Sequence, residues 1–141
     1  MSRRDSYHYA CKTALIRDGW TITHDPLPIT YRGTAVSTDL GAEKSHANEG
    51  QQIAVELIAV EVKDLDGQSV LSDFEKALGQ FHLYRTLLKL RDPKRKIFLA
   101  VRKKVYDEFF QRPAIQEVIS ASEVPLIVFD EQKEEIVKWI K

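Results

Sequence analysis

IAVELIAVEV, residues 53–62, followed at once by Lys63, is the stretch that decides the fold. It is apolar and β-branched on both parities, the pattern of a central strand covered on both faces. Such a strand belongs to an α/β domain, and the elements around it fit one. Ser72-Asp73-Phe74-Glu75 has the form of a capping box and opens a predicted helix running to about Leu90, with Phe74, Ala77, Leu78, Phe81, Tyr84, Leu87 and Leu88 as its apolar stripe. Asp92-Pro93 ends it. Ile97–Val101 reads as a second buried strand, Tyr106–Phe110 as a short helix, and Pro113 as the first turn of a helix through Ile119. Leu126–Phe129 and Ile136–Ile140, joined by the charged turn Asp130–Glu134, predict a closing hairpin.

Upstream, residues 4–18 predict an amphipathic helix with Asp5 or Ser6 as N-cap and Gly19 as its stop. Trp20–Thr23 predicts a short strand, Asp25-Pro26-Leu27-Pro28 a break, and Ile29–Tyr31 a second strand turning at Arg32-Gly33 into a partner over Ala35–Leu40. Gly41–Gly50 is polar and closes with the turn signal Asn48-Glu49-Gly50. The chain has 141 residues, the size of one domain, and neither a repeat nor a linker divides residues 1–141.

Composition narrows the function. The N-terminus lacks an apolar core of signal-peptide length, and no stretch has the roughly 18 to 20 apolar residues of a membrane span. The expected location is the cytoplasm, with no membrane partner. Cys11 is the only cysteine, which excludes an internal disulfide and a thiolate metal cluster. Twenty-one basic residues balance twenty-one acidic ones, so bulk electrostatics does not favour nucleic acid. Two local patches, Lys94-Arg95-Lys96 and Arg102-Lys103-Lys104, bracket the strand Ile97–Val101; a solvated rim and a phosphate contact both account for them. P-loop, dinucleotide-binding and serine-hydrolase motifs are absent.

Glu61 and Lys63 sit two apart at the end of the central strand, so their side chains share one face while Val60 and Val62 take the other. A strand-end salt bridge accounts for the pair on periodicity alone. Asp39 ends the preceding predicted strand, where it can cap a turn or, through antiparallel pairing, stand beside Glu61. Two carboxylates and the carbonyl of Val62 would make an all-oxygen site suited to Mg²⁺ or Mn²⁺. Lys63 would then position a water or steady charge on a phosphate, the arrangement of metal-assisted phosphodiester hydrolysis. His8 has Cys11 and Leu15 on its helix face and reads by itself as a packed histidine. Gln80 and Tyr84 lie one turn apart and read by themselves as helix surface.

Taken in order, His8, Asp39, Glu61-Val62-Lys63 and Gln80-Phe81-His82-Leu83-Tyr84 resemble the PD-(D/E)xK nuclease superfamily. There a first-helix residue, a strand aspartate, an E-x-K strand and often a Q-x-x-x-Y helix build one site. More closely, RRDSYHYACKTALIRDGWTITHDP, TDLGAEK, IAVEVK and FEKALGQFHLYR resemble the XisH family, the fdxN element excision controlling factors, over nearly the whole chain. The resemblance implies a restriction-endonuclease-like fold, a central mixed β-sheet flanked by helices. It also implies a part in site-specific excision of a DNA element interrupting a nitrogen-fixation gene, beside a site-specific recombinase and a companion excision factor, XisI. Self-association into a homo-oligomer is left open. Two features depart from the superfamily pattern: His8 stands where many nucleases carry a glutamate, and residues 53–63 are longer than the family strand. Ala54-Val55-Glu56 echoes Ala59-Val60-Glu61, making Glu56 a rival of opposite parity without a lysine two residues on. The two functional expectations are a Mg²⁺- or Mn²⁺-dependent endodeoxyribonuclease and a non-catalytic accessory factor that keeps a vestigial site for binding DNA or a partner.

Overall fold

The computed structural model describes residues 4–47, 50 and 53–141. Its elements in chain order are α1 (Arg4–Arg17), β1 (Thr21–His24), β2 (Leu27–Tyr31), β3 (Thr34–Thr38), β4 (Leu40–Ala47), β5 (Ile53–Val62), α2 (Val70–Arg91), β6 (Arg95–Arg102), α3 (Lys103–Glu108), α4 (Pro113–Ser122), β7 (Leu126–Asp130) and β8 (Glu135–Ile140). Six strands form one mixed sheet in the order β1-β4-β5-β6-β7-β8. The pairs β5–β6 and β6–β7 are parallel and the other three antiparallel. Helix α2 makes the crossover between β5 and β6, as a parallel pair requires.

Alternation along β5 creates the two cores. Ala59 turns to the face where α2 packs with Phe74, Ala77, Phe81 and Leu88, whereas Ile58 and Val60 turn to the face where α1 packs with Ala10, Cys11, Ala14 and Leu15. Burial on both faces holds only for the second half of the strand. Ile58, Ala59 and Val60 are fully buried, but Ile53 is 72% and Val55 52% exposed. The cause is register: β6 begins at Arg95, opposite Leu57, so residues before Leu57 pair with β4 alone and project as an arm.

Several predicted boundaries are corrected. Gly41–Ala47 is not a polar loop but most of β4, the strand that pairs with β5; Asn48 and Glu49 lie outside the described residues. Its outer half is polar because it belongs to the exposed arm. The strand predicted over Ala35–Leu40 is instead β3, which pairs with β2 in a separate two-stranded sheet and ends at Thr38. The turn between them uses positive φ at Arg32 and Gly33. Pro28 is tolerated because that hairpin has free edges, so β2 begins at Leu27 rather than Ile29. Asp5 and Ser6 lie inside α1, not ahead of it. Ser69, not Ser72, caps α2: its side chain accepts from the Ser72 N–H, which moves the helix start to Val70. The closing hairpin forms as predicted.

The two basic patches are not simple solvated rims. Arg95 folds inward, donating from Nη1 to the Ile58 carbonyl at 2.8 Å and from Nε to Asp92 at 3.2 Å. Arg102 is 8% exposed, with its guanidinium 4.4 Å from the Tyr7 ring centre. Among the described residues no helix is long and apolar enough to cross a membrane.

Candidate functional site

The strand that ends at Val62 carries Glu61 and then Lys63 to the edge of the sheet, and the chain entering β4 brings Asp39 to the same place. Asp39 is the residue between β3 and β4, not the end of a strand paired with β5. Leu40 is the first residue in register, opposite Val60, which leaves Asp39 alongside the last residues of β5. Two hydrogen bonds fix the juxtaposition reciprocally. The Val62 N–H donates to Asp39 Oδ2 at 2.8 Å, and the Asp39 N–H donates to Glu61 Oε1 at 3.2 Å. A side chain takes the place of the next ladder bond, because β4 has already turned away. Within a strand the N–H and C=O of one residue leave on the same side, so the Val62 carbonyl also belongs to the Asp39 side.

Both helical layers reach this edge. From α1, His8 is buried at 3% exposure, its Nδ1 3.7 Å from Asp39 Oδ1 and its Nε2 2.7 Å from Asp25 Oδ1. Nδ1 has no hydrogen bond among the described residues, the Asp39 contact being an ion-pair distance. Lys12, one helical turn on, donates to Asp25 Oδ2 at 2.7 Å. From α2, Gln80 Oε1 accepts from Lys63 Nζ. Lys63 Nζ lies 3.7 Å from Glu61 Oε2. Tyr84 stands one turn further along, half-buried, its phenol pushed upward by burial and then by the charges of Glu61 and Asp39. A chain of contacts thus runs Lys12, Asp25, His8, Asp39, Glu61, Lys63, Gln80.

Of the residues singled out in the sequence for this site, all but the rival Glu56 are at or beside it. His8, Asp39, Glu61, Val62 and Lys63, together with Asp64, line a cavity of about 260 Å³. Gln80 reaches it through Lys63, and Tyr84 only through the field of the carboxylates. Glu56 is elsewhere, on the exposed arm, bound to His46 at 3.1 Å and 3.8 Å from Lys141. Asp25 and Lys12 were missed, because a turn aspartate before a proline carries no sign of a partner seventeen residues away.

Electrostatics sorts the two carboxyls. Burial pushes the Glu61 carboxyl up, its hydrogen bond to Asp39 and the Asp39 charge push it further, and Lys63 only partly offsets them; the result is a pKa of about 8. Burial also pushes Asp39 up, but His8, Glu61 and the Val62 N–H outweigh it and hold Asp39 below the usual carboxylate range. At neutral pH the pair therefore holds one proton on Glu61 and one charge on Asp39. His8 is raised by its interaction with Asp39, against burial, with Asp25 adding to the rise. Asp25, although burial opposes it, is lowered by Lys12 and His8.

Such a pair can take a hard cation. Its donors are all oxygen, as Mg²⁺ and Mn²⁺ prefer, and the proton retained on Glu61 marks a place where one more positive charge would be stabilising. Among the described residues no group of three or more His, Cys, Asp or Glu side chains is arranged to hold a metal, so the side chains alone would supply two ligands.

A family model described as XisH protein matches residues 1–137. No curated protein matches the chain. Two crystal structures do. An XisH family protein from Nostoc punctiforme PCC 73102 is 40% identical, with 97% of this chain and 100% of that one covered and a TM-score of 0.84. An fdxN element excision controlling factor protein from Anabaena variabilis is 40% identical, with 98% and 100% covered and a TM-score of 0.85. The agreement of sequence model and structures over nearly its whole length makes this chain a member of the XisH family.

Proposed function

We propose that this chain is an excision controlling factor that acts on DNA, and that its strand-end site is a restriction-endonuclease-like centre for Mg²⁺- or Mn²⁺-dependent phosphodiester cleavage. The name of the Anabaena variabilis relative supports the excision role. The observation that carries the chemistry is the buried Asp39–Glu61 pair beside Lys63 at a strand end, where clefts in α/β sheets form. The ion would be held by Asp39, Glu61 and the Val62 carbonyl, and when bound it would neutralise phosphate charge and make a water more acidic. Glu61 must release its proton before both carboxylates can act as anionic donors. Asp39 is held in place by the Val62 N–H and backed by His8. Lys63, steadied by Gln80, keeps an ammonium where charge would build on the phosphate. A site-specific recombinase and the companion factor XisI are the partners this role requires.

A second reading, a non-catalytic factor that uses the site to bind DNA or a partner, is favoured by two observations. The chain has no net positive charge, and its side chains supply only two carboxylate ligands among the described residues. One experiment separates the readings: incubate branched, nicked and linear DNA with Mn²⁺, with and without XisI, alongside Lys63→Ala, and titrate Mn²⁺ by calorimetry into wild type and Asp39→Ala. Cleavage that disappears in Lys63→Ala supports the nuclease. Mn²⁺ binding lost in Asp39→Ala without any cleavage supports the accessory factor. Equal heat, or none, in wild type and Asp39→Ala removes the metal site from both.

A further inference from the structure

Helix α2 buries Phe74, Ala77, Phe81 and Leu88, and its opposite side is bare. Ser72, Lys76, Gly79, Leu83, Thr86 and Leu90 are all exposed there, and they follow one another at intervals of alternately four and three residues. That is the spacing of a helix that packs lengthwise on another helix. Leu83 is 48% and Leu90 55% exposed. Gly79 lies one turn before Leu83. A glycine inside a helix weakens it relative to alanine, yet a Cβ at Gly79 would meet no other part of the chain within 4 Å, so packing within the chain does not require it. What the missing side chain leaves is room for a neighbour's leucine.

The charges beside this seam say what the neighbour is. Glu75 and Lys89 flank it on the same side, at equivalent positions of the repeat, and both are exposed with no ion-pair partner among the described residues. In an antiparallel pair of identical helices, equivalent flanking positions face each other across the twofold axis. Laying Leu83 over the gap at Gly79 of a second copy then sets Leu90 over that copy's Ser72 and Glu75 beside its Lys89. Symmetry repeats each contact, so the acid and the base of one helix complement those of the other. A parallel pair fits worse: it sets Gly79 against Gly79, an empty layer, and brings Glu75 to Gln80 rather than to a cation.

We infer that α2 pairs antiparallel with α2 of a second copy of this chain, with Leu83 seated over Gly79 and Glu75 paired with Lys89 on both sides of the axis. Gln80, next to Gly79, holds Lys63, so the pairing brings two strand-end sites to either side of one axis. That the two sites serve the two strands of one duplex rests on the function proposed above.

Sedimentation equilibrium of the full chain, in EDTA and without DNA, measures the pairing independently of cleavage. Every position changed is exposed, so the core stays intact. Leu83→Gln is expected to weaken association about tenfold or more. Leu71→Gln, at a leucine of α2 that is 50% exposed but off the seam, is expected to leave it unchanged. Glu75→Lys and Lys89→Glu each set like charges together twice and should weaken association about tenfold, whereas the double variant Glu75→Lys/Lys89→Glu should return to within about threefold of wild type. Wild type still monomeric at about 1 mM, where a contact with a millimolar Kd would be half formed, overturns the inference. So does association that Leu83→Gln leaves unchanged, or a charge-swapped double variant no better than the singles. With duplex DNA and Mn²⁺, pairing without cleavage upholds the dimer and sinks the nuclease reading. Cleavage of both strands by Leu83→Gln at the wild-type rate upholds the nuclease and overturns the placing of two sites about one axis.

Discussion

Glu61→Gln should flatten the pH dependence of folding stability. In the folded chain Glu61 keeps its proton to a pKa of about 8, whereas an exposed glutamate loses it near 4.5. A group raised in this way contributes its full stability below the unfolded value, and the contribution is lost as pH rises toward the folded one. At about 1.4 kcal/mol for each tenfold difference in proton affinity, the loss is about 3 kcal/mol by pH 7 and about 5 kcal/mol by pH 9. Glutamine keeps the shape of the protonated carboxyl and a donor toward Asp39, but cannot ionise, so this slope vanishes in the variant. The assay is urea unfolding in EDTA between pH 5 and 9, followed by the fluorescence of Trp20 and Trp139, whose rings are 5.5 Å apart. Wild type should be the less stable of the two at pH 9 and close to the variant at pH 5. Mn²⁺ in place of EDTA should restore wild type at high pH and leave Glu61→Gln unchanged. Parallel pH profiles would show that Glu61 is ionised in the folded chain and that the two carboxylates do not share a proton.

Two further outcomes follow from the layers around the site. Asp25→Asn removes the carboxylate on His8 Nε2, one of the causes that raise the His8 imidazole, so an NMR titration of His8 should move toward lower pH; an unmoved titration would remove Asp25 from the network. Phe98→Ala empties a fully buried position whose ring stands edge-on to Trp139 at 5.1 Å, and should cost about 3 to 5 kcal/mol in urea unfolding. A cost below about 1 kcal/mol would mean that the α1-side core collapses around the gap.

What could be read from the chain follows from the range of the interactions involved. The second half of β5, helix α2 and the β7–β8 hairpin were legible because burial on one or two faces writes a periodicity into neighbouring residues. The arm of β4 and β5 was not. Its residues pair with each other but cover no core, so Gly41–Ala47 is polar like a loop and Ile53 and Val55 are apolar like a core. The start of α2 was misplaced for a local reason: Ser69 and Ser72 both precede the apolar stripe, and only the bond from the Ser72 N–H to Ser69 Oγ decides between them.

The site was legible as a list of residues and not as a geometry. Glu61 and Lys63 declare a shared face by their spacing, but nothing local ties Asp39 to them. That link depends on β4 starting one residue after Asp39, which frees the Val62 N–H for a side chain. The same early start leaves Asp39 open to His8 from one helical layer, while Lys63 meets Gln80 from the other. A salt bridge and a turn aspartate, each ordinary alone, thereby become a pair of buried carboxyls with room for a single charge. The single charge that the pair holds is thus a property of strand register rather than of composition. Moving the entry to β4 by one residue should therefore disable the site even with Asp39, Glu61 and Lys63 all in place.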